Sequence, residues 1–370
     1  MFIITNRNLE EGETGLAQLG DRPNPKGPNE LRIAEAEKKG GQWKLRILDD
    51  ELDDAALDEI GVVREFDASG NPIRVYASRY AAWKILKRVN PKRAGVKGRK
   101  GKNLLFFVHG YNNNLKDVLD RARGFEEHFG VEVVAFSWPA NGGGVRGVVS
   151  YLSDKRDARA SVGALDRTLK KMYDLLLEFN DAYMKKVIRA AAAKFGGDLE
   201  SRDTAITREA ERGCPFKITM VLHSMGNYLY KQMLKSTASE GNRLLFDNVI
   251  LAAADTNNEG HAEWVDRIRC RNRVYITINE RDHALRASRL KAGEEQRARL
   301  GHYPYTLYST QSVYVDFTNA AYVGDSHAYF ENGPLRNERV KRFFDKAING
   351  ECAERDLRYK AATHMYRFPK

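Results

Sequence analysis

Cysteine is scarce: Cys214, Cys270 and Cys352 stand far apart in a chain of 370 residues. An odd number at such spacing excludes a disulfide framework and offers no zinc-ligand pattern. The chain therefore reads as one for a reducing cytoplasm. Long apolar runs are also missing, since no window approaches the roughly eighteen residues that a membrane-spanning helix needs. The opening MFIITNR is a short strand-like run cut off by Arg7, with neither the length nor the cleavage site of a secretory leader. There is no internal repeat. Residues 141–147 are glycine-rich but lack the helix-opening spacing of a dinucleotide loop. Neither a metal ion nor an organic cofactor is expected.

What is present is an ordinary soluble balance, 42% apolar and 30% charged. The length suffices for one large α/β core or two modest ones. The net charge is +11, and the run from Lys84 to Lys102, with nine Lys or Arg and no acid, nearly accounts for it. Such a run is either a solvated loop or an anion-binding patch for phospholipid headgroups or an acidic partner. No aromatic residue is interleaved between Pro91 and Lys102 and no nucleic-acid motif adjoins them, which argues against nucleic acid.

Short apolar runs alternate with helical patterns. Residues 2–6 and 43–48 read as early strands flanking a loop around Gly20–Pro28, residues 49–60 as irregular, and residues 75–87 as a helix. Further strands are expected at 104–108, 131–138, 218–222, 249–254, 274–278 and 313–317. Helical spacing occupies 117–129, 158–193, the stretch after Ser224, roughly 284–300 and 337–347. This alternation specifies a mostly parallel sheet covered by helices on both faces.

The sharpest signal is FKITMVLHSMGNYLYKQML, residues 216–234. A buried-type strand turns into a helix at His223-Ser224-Met225-Gly226, which is the pattern of a nucleophile elbow. The helix N-terminus behind Ser224 supplies backbone N–H groups. The competing reading is a serine that merely N-caps an ordinary turn.

In an open parallel sheet, chemistry collects at the carboxyl ends of the strands. His109-Gly110-Tyr111 ends its strand where an oxyanion loop would lie, so the backbone N–H groups of Tyr111 and Met225 are the candidate oxyanion donors. Of the eight histidines, His327 alone follows the last strand, as the order Ser, acid, His requires. His223 flanks the serine and would point away from it, His109 lies in the oxyanion loop, and His283 adjoins Asp282. His128, His261, His302 and His364 match no strand end. Asp255 and Asp282 both sit just past strand ends, so spacing leaves either as the acid that holds the histidine tautomer.

Taken in order, VHGYNNN, FSWPA, Tyr151 with Asp154, LHSMGN, LAAAD, NERDHAL, RLG at 299–301 and DSHAYF resemble the bacterial α/β-hydrolases of unknown function called DUF900. MFIITNR resembles that family's opening strand. The resemblance spans most of residues 1–8 and 103–348. It implies an α/β-hydrolase fold with Ser224 as nucleophile, His327 as base and an aspartate as third member, and it implies no substrate. Topology prefers Asp282, because the loop beyond the second strand after the elbow usually presents the acid. Leu222 departs from the pattern, standing where a small residue is usual, so a wider strand–helix crossing or a shifted helix is expected.

The expected organisation is N-terminal strands, a helix and the basic loop in 1–102, a hydrolase core in 103–350 with an insertion at about 180–213, and a basic tail in 351–370. A lid would come from 139–150, 180–213 or 284–311. The expected activity is of the esterase or lipase type, on a small-molecule or lipid-like acyl substrate. The alternative is a hydrolase fold kept as a binding or regulatory module.

Overall fold

Leu104–Val108 is apolar at every position and buried throughout, as the central strand of a parallel sheet must be. The structure is a computed structural model and describes residues 1–27, 30–91, 98, 100–140, 147–211, 214–289 and 297–368, with the backbone alone at 147–152. The chain opens with β1 (Phe2–Thr5), β2 (Arg7–Leu9), β3 (Leu19–Pro23), β4 (Arg32–Lys39) and β5 (Gln42–Ile47), then α1 (Asp54–Ile60) and α2 (Ala77–Val89). Next come β6 (Leu104–Val108), α3 (Leu115–Phe129) and β7 (Glu132–Ser137), then a helical excursion of α4 (Gly147–Ala160), α5 (Val162–Phe195) and α6 (Leu199–Glu211). The second half holds β8 (Ile218–His223), α7 (Met225–Lys235), β9 (Phe246–Ala252), α8 (Ala262–Val265), β10 (Cys270–Ile278), α9 (His283–Arg289) and β11 (Ser312–Asp316). It closes with α10 (Glu338–Ile348), β12 (Arg358–Lys360) and β13 (Met365–Arg367).

The described strands form an eleven-stranded sheet in the order β12-β13-β11-β10-β9-β8-β6-β7-β1-β4-β5, with β2 and β3 paired separately. Every neighbouring pair from β13 to β1 is parallel, and β12, β4 and β5 add antiparallel edges. Alternation sends Leu104, Phe106, Met220 and Leu222 to the face covered by α2, α5 and α7. Leu105, Phe107 and Val221 go to the face covered by α3 and α10. The fold is thus α/β, a large mostly parallel sheet with helices on both faces. β6 leads to β7 on one side, whereas β8 lies on its other side and leads away to β9, β10 and β11. The strand order reverses between β6 and β8, and in open α/β sheets ligands bind beyond the carboxyl ends of the strands at such a point.

Some segments differ from their sequence reading. RIAEAEKK forms β4 despite its charges, because Ala34 and Ala36 face inward, buried, while neighbouring charged side chains stay at the surface. Residues 49–60 are not irregular throughout: Asp53 caps α1 by accepting from Ala56 N at 2.8 Å, and Gly61 closes it at φ 66°. The polar stretch after 195 becomes α6, which folds back on α5, with Tyr183 Oη donating to Glu209 Oε1 at 2.5 Å. The tail is seated on the sheet. β13 pairs with β11, Met365 is fully buried, and Arg367 Nε lies 2.9 Å from Asp316 Oδ2.

In the basic run, Lys84 Nζ lies 3.1 Å from Glu59 and Arg88 Nη1 2.6 Å from Glu132, so two of its cations already have carboxylate partners. Residues 92–97 and 99 of that run lie outside the described residues. So do 141–146 of the glycine-rich stretch and 290–296 of the helix expected at 284–300. Among the described residues no helix is long and apolar enough to cross a membrane.

The seated tail makes a direct prediction. Met365→Ala removes a fully buried side chain and should cost about 2–5 kcal/mol in urea unfolding. A cost below about 0.5 kcal/mol, typical of surface positions, would mean that the tail is detached in solution.

Candidate active site

Ser224 joins β8 to α7 with φ 51° and ψ −119°. A non-glycine residue in such a conformation costs about 1–3 kcal/mol and persists only where its surroundings hold it. Here its N–H donates to Ala252 O at 3.0 Å, and Asp255 N–H donates to its carbonyl at 3.2 Å. The Asn227 side-chain amide reaches the carbonyls of Leu222, Ser224 and Ala252 at 2.9, 3.0 and 3.3 Å. Two glycines provide the room. A Cβ on Gly110 would lie 2.6 Å from Ser224 Cβ, and one on Gly226 would lie 2.7 Å from His109 O. The close approach of helix and strand is therefore met at Gly226. Leu222 lies fully buried in the same apolar cluster as Val108, Met225 and Leu229.

The loops after β10 and β11 bring Asp282 and His327 together, with His327 Nδ1 2.7 Å from Asp282 Oδ2. Asp282 is fully buried, and its Oδ1 accepts from the N–H groups of Ala284 and Leu285, each at 3.0 Å. These bonds turn Oδ2 toward the histidine. A carboxylate oxygen accepts from the ring, so Nδ1 carries a proton, and in the neutral ring Nε2 keeps its lone pair. The His327 side chain is 18% exposed. Asp255 is engaged differently: its Oδ1 lies 3.1 Å from Arg299 Nε and accepts from Ser288 Oγ at 2.8 Å. That ion pair is buried on both sides.

His223 has a structural connection of its own. Its Nε2 lies 3.2 Å from His327 O, and the two rings are 4.7 Å apart. His109 is also fully buried, with Nδ1 2.9 Å from Gly110 O and Nε2 3.1 Å from Trp138 O. A neutral ring carries one N–H, so it donates to one of those carbonyls at a time. Asn113 Nδ2 donates to Tyr111 O at 2.6 Å, while Asn113 O accepts from Nη2 of the buried Arg7 at 3.2 Å. Two further histidines have partners of their own. His283 Nδ1 meets Asp325 O at 2.8 Å, and His261 bridges Asn258 O and the Tyr314 hydroxyl at 2.6 and 2.5 Å.

Sequence reasoning passed over Asn113, Asn227, Arg7 and Arg121. Arg121 left a usable signal, because it is spaced three and four residues from Val118 and Phe125 on the apolar face of α3. Among the described residues no group of three or more His, Cys, Asp or Glu is placed to hold a metal ion. A cavity of about 650 Å³ opens between α2, α5 and the sheet, lined by Leu104, Val134, Met172 and Ile218 among others. Ser224, Asp282 and His327 do not line it.

A family model described as alpha/beta hydrolase of unknown function (DUF900) matches residues 91–175 and 197–317, together more than half of the chain. No curated protein and no solved structure matches the chain.

The two buried histidines predict a pH dependence of stability. Burial, then the Arg7 charge, lowers His109 to about 3. Burial, then His327 and Arg121, holds His223 well below the ordinary range. In the unfolded chain both take up a proton near pH 6.5. Below that pH the unfolded state binds more protons, so stability falls as pH falls, by at most about 1.4 kcal/mol per pH unit for each ring. Urea unfolding should therefore show lower stability at about pH 5 than at about pH 7. Equal stability at the two would contradict neutral, buried rings.

Proposed function

The chain belongs to this family of α/β-hydrolases, and on that premise we propose that it is a serine hydrolase that cleaves a carboxylic ester or thioester through an acyl-enzyme. The observation that carries the reading is the 2.7 Å pairing of His327 Nδ1 with Asp282. It leaves Nε2 as a base on a loop that packs against His223, the residue before Ser224. The strained backbone of Ser224 supports the same reading, since such strain clusters at active sites.

In this mechanism Ser224 Oγ attacks the carbonyl carbon and its proton passes to His327 Nε2. Asp282 holds the ring in its tautomer and stabilises the imidazolium. The backbone N–H groups of Tyr111 and Met225 receive the oxyanion. Donors of this kind are worth about 2.7–4 kcal/mol of barrier each. Collapse of the tetrahedral intermediate breaks the bond to the alcohol or thiol, which leaves with the proton from Nε2. Water then attacks the acyl-enzyme with His327 again as base, and the acid departs as Ser224 is restored.

The substrate is a small-molecule or lipid-like acyl compound, and residues 103–350 form the catalytic core of this reading. The three cysteines are free, which supports a reducing compartment and hence the cytoplasm.

Three variants test the assignment on a short p-nitrophenyl ester. Ser224→Ala should lose nearly all turnover. Asp282→Asn should lose about ten-thousandfold, as in the serine-protease template, while it remains folded. Asp255→Asn strips a buried Arg299 of its carboxylate, so it should lose about 3–5 kcal/mol of stability. Turnover of its folded fraction should persist. A stable but inactive Asp255→Asn beside an active Asp282→Asn would reverse the acid assignment.

A further inference from the structure

Arg121 lies on α3 among Val118, Ala122 and Phe125, which are all buried. A charge there must be compensated by hydrogen-bonding partners, and the partners come from three separate parts of the chain. Nε and Nη2 donate to Glu331 Oε2 and Oε1, each at 3.0 Å, as a bidentate pair. Nη1 donates to Asn113 Oδ1 at 3.0 Å and faces His223 Nδ1 at 3.4 Å. Glu331 follows His327 on the loop after β11, Asn113 belongs to the turn that contains Tyr111, and His223 precedes Ser224. One guanidinium thus touches the three strand ends that carry the base, the oxyanion donors and the nucleophile.

Each contact also fixes a polarity. His223 Nε2 faces the carbonyl of His327 at 3.2 Å. A carbonyl only accepts, so Nε2 holds the proton and Nδ1 is left to accept from Arg121. Asn113 Oδ1 is taken by Arg121, which turns its amide nitrogen to Tyr111 O at 2.6 Å. Guanidinium has five donors and no acceptor, so neither His223 nor Asn113 can adopt the opposite orientation beside it.

We propose that Arg121 is a positioning residue for the hydrolase site: through Glu331, Asn113 and His223 it locks, together with the His327 carbonyl, the tautomer of His223 and holds the His327 and Tyr111 loops in register with Ser224. The catalytic consequence rests on the roles assigned above to Ser224, His327 and Asp282. The tautomer and the loop geometry do not depend on those roles. A lysine would restore the charge without the fork, because one ammonium cannot engage Glu331 bidentately and reach Asn113 as well.

The test uses the full chain with ¹⁵N-labelled histidine, as wild type, Arg121→Met, Arg121→Lys and Glu331→Gln. In wild type the His223 signals should show a protonated Nε2 and an unprotonated Nδ1. In Arg121→Met and Arg121→Lys they should move toward a mixture of tautomers. On a p-nitrophenyl ester, kcat should fall about a hundredfold in both Arg121 variants, the usual cost of a displacement near 1 Å. KM should change by less than about threefold, since the loss is in the transition state. Glu331→Gln, which keeps the shape, should fall between these variants and wild type. Variants that lose melting temperature yet keep wild-type kcat per folded molecule and an unchanged His223 tautomer would overturn the proposal. Should Arg121→Met fail to fold, Arg121→Lys and Glu331→Gln decide. An active Ser224→Ala would instead sink the active-site reading, and the His223 signals would still decide the role of Arg121.

Discussion

The left-handed backbone of Ser224 is the constraint on which the surrounding structure depends. Its φ of 51° is unfavourable for any side-chain-bearing residue and is held by hydrogen bonds to its own N–H and carbonyl. Ala252 and Asp255 take the two backbone groups of Ser224, and Asn227 ties three carbonyls at the turn with one amide. Gly110 and Gly226 are glycines because the turn after β6 and α7 come within side-chain distance of the elbow and the end of β6. The turn lies where the sheet reverses its order, the place where open α/β sheets carry their ligand sites.

Around that turn, like residues are separated by their surroundings. Asp255 and Asp282 both follow strand ends and both are buried, yet one is committed to Arg299 and Ser288 and the other to His327. The histidines divide in the same way. Burial keeps His109 and His223 neutral, and they work as hydrogen-bonding struts under the loops. His327 is the one of the three with a carboxylate on Nδ1, the arrangement that the proposed base requires. Arg121 couples these parts, since the strut under His327 and the turn at Tyr111 both end on its guanidinium.

Much of the fold was legible in the sequence for a simple reason. Strands buried on both faces, such as LLFFV, admit no other periodicity, and the strand–Ser–helix stretch changes period at a single residue. The order of the strand ends was legible too, which is why Asp282 and His327, which the structure pairs, could be put forward with Ser224. The edges were less so. β4, second from the edge, carries five charged side chains because only its alanines are buried there, and β12 and β13, three residues each, are too short to show a period. The choice between Asp255 and Asp282 could not be read from spacing, because it depends on where Arg299 goes. Arg121 escaped notice because a sequence records a charge on a helix and not the three segments that fold onto it.

The central claim is that Ser224 is an activated nucleophile, and reaction with a fluorophosphonate tests it most directly. The intact protein should gain one phosphonyl group, and mass spectrometry of its peptides should locate it on Ser224. The rate should fall steeply in Asp282→Asn. Folded protein that stays unlabelled, or that is labelled at another residue while Ser224 remains free, would contradict the account.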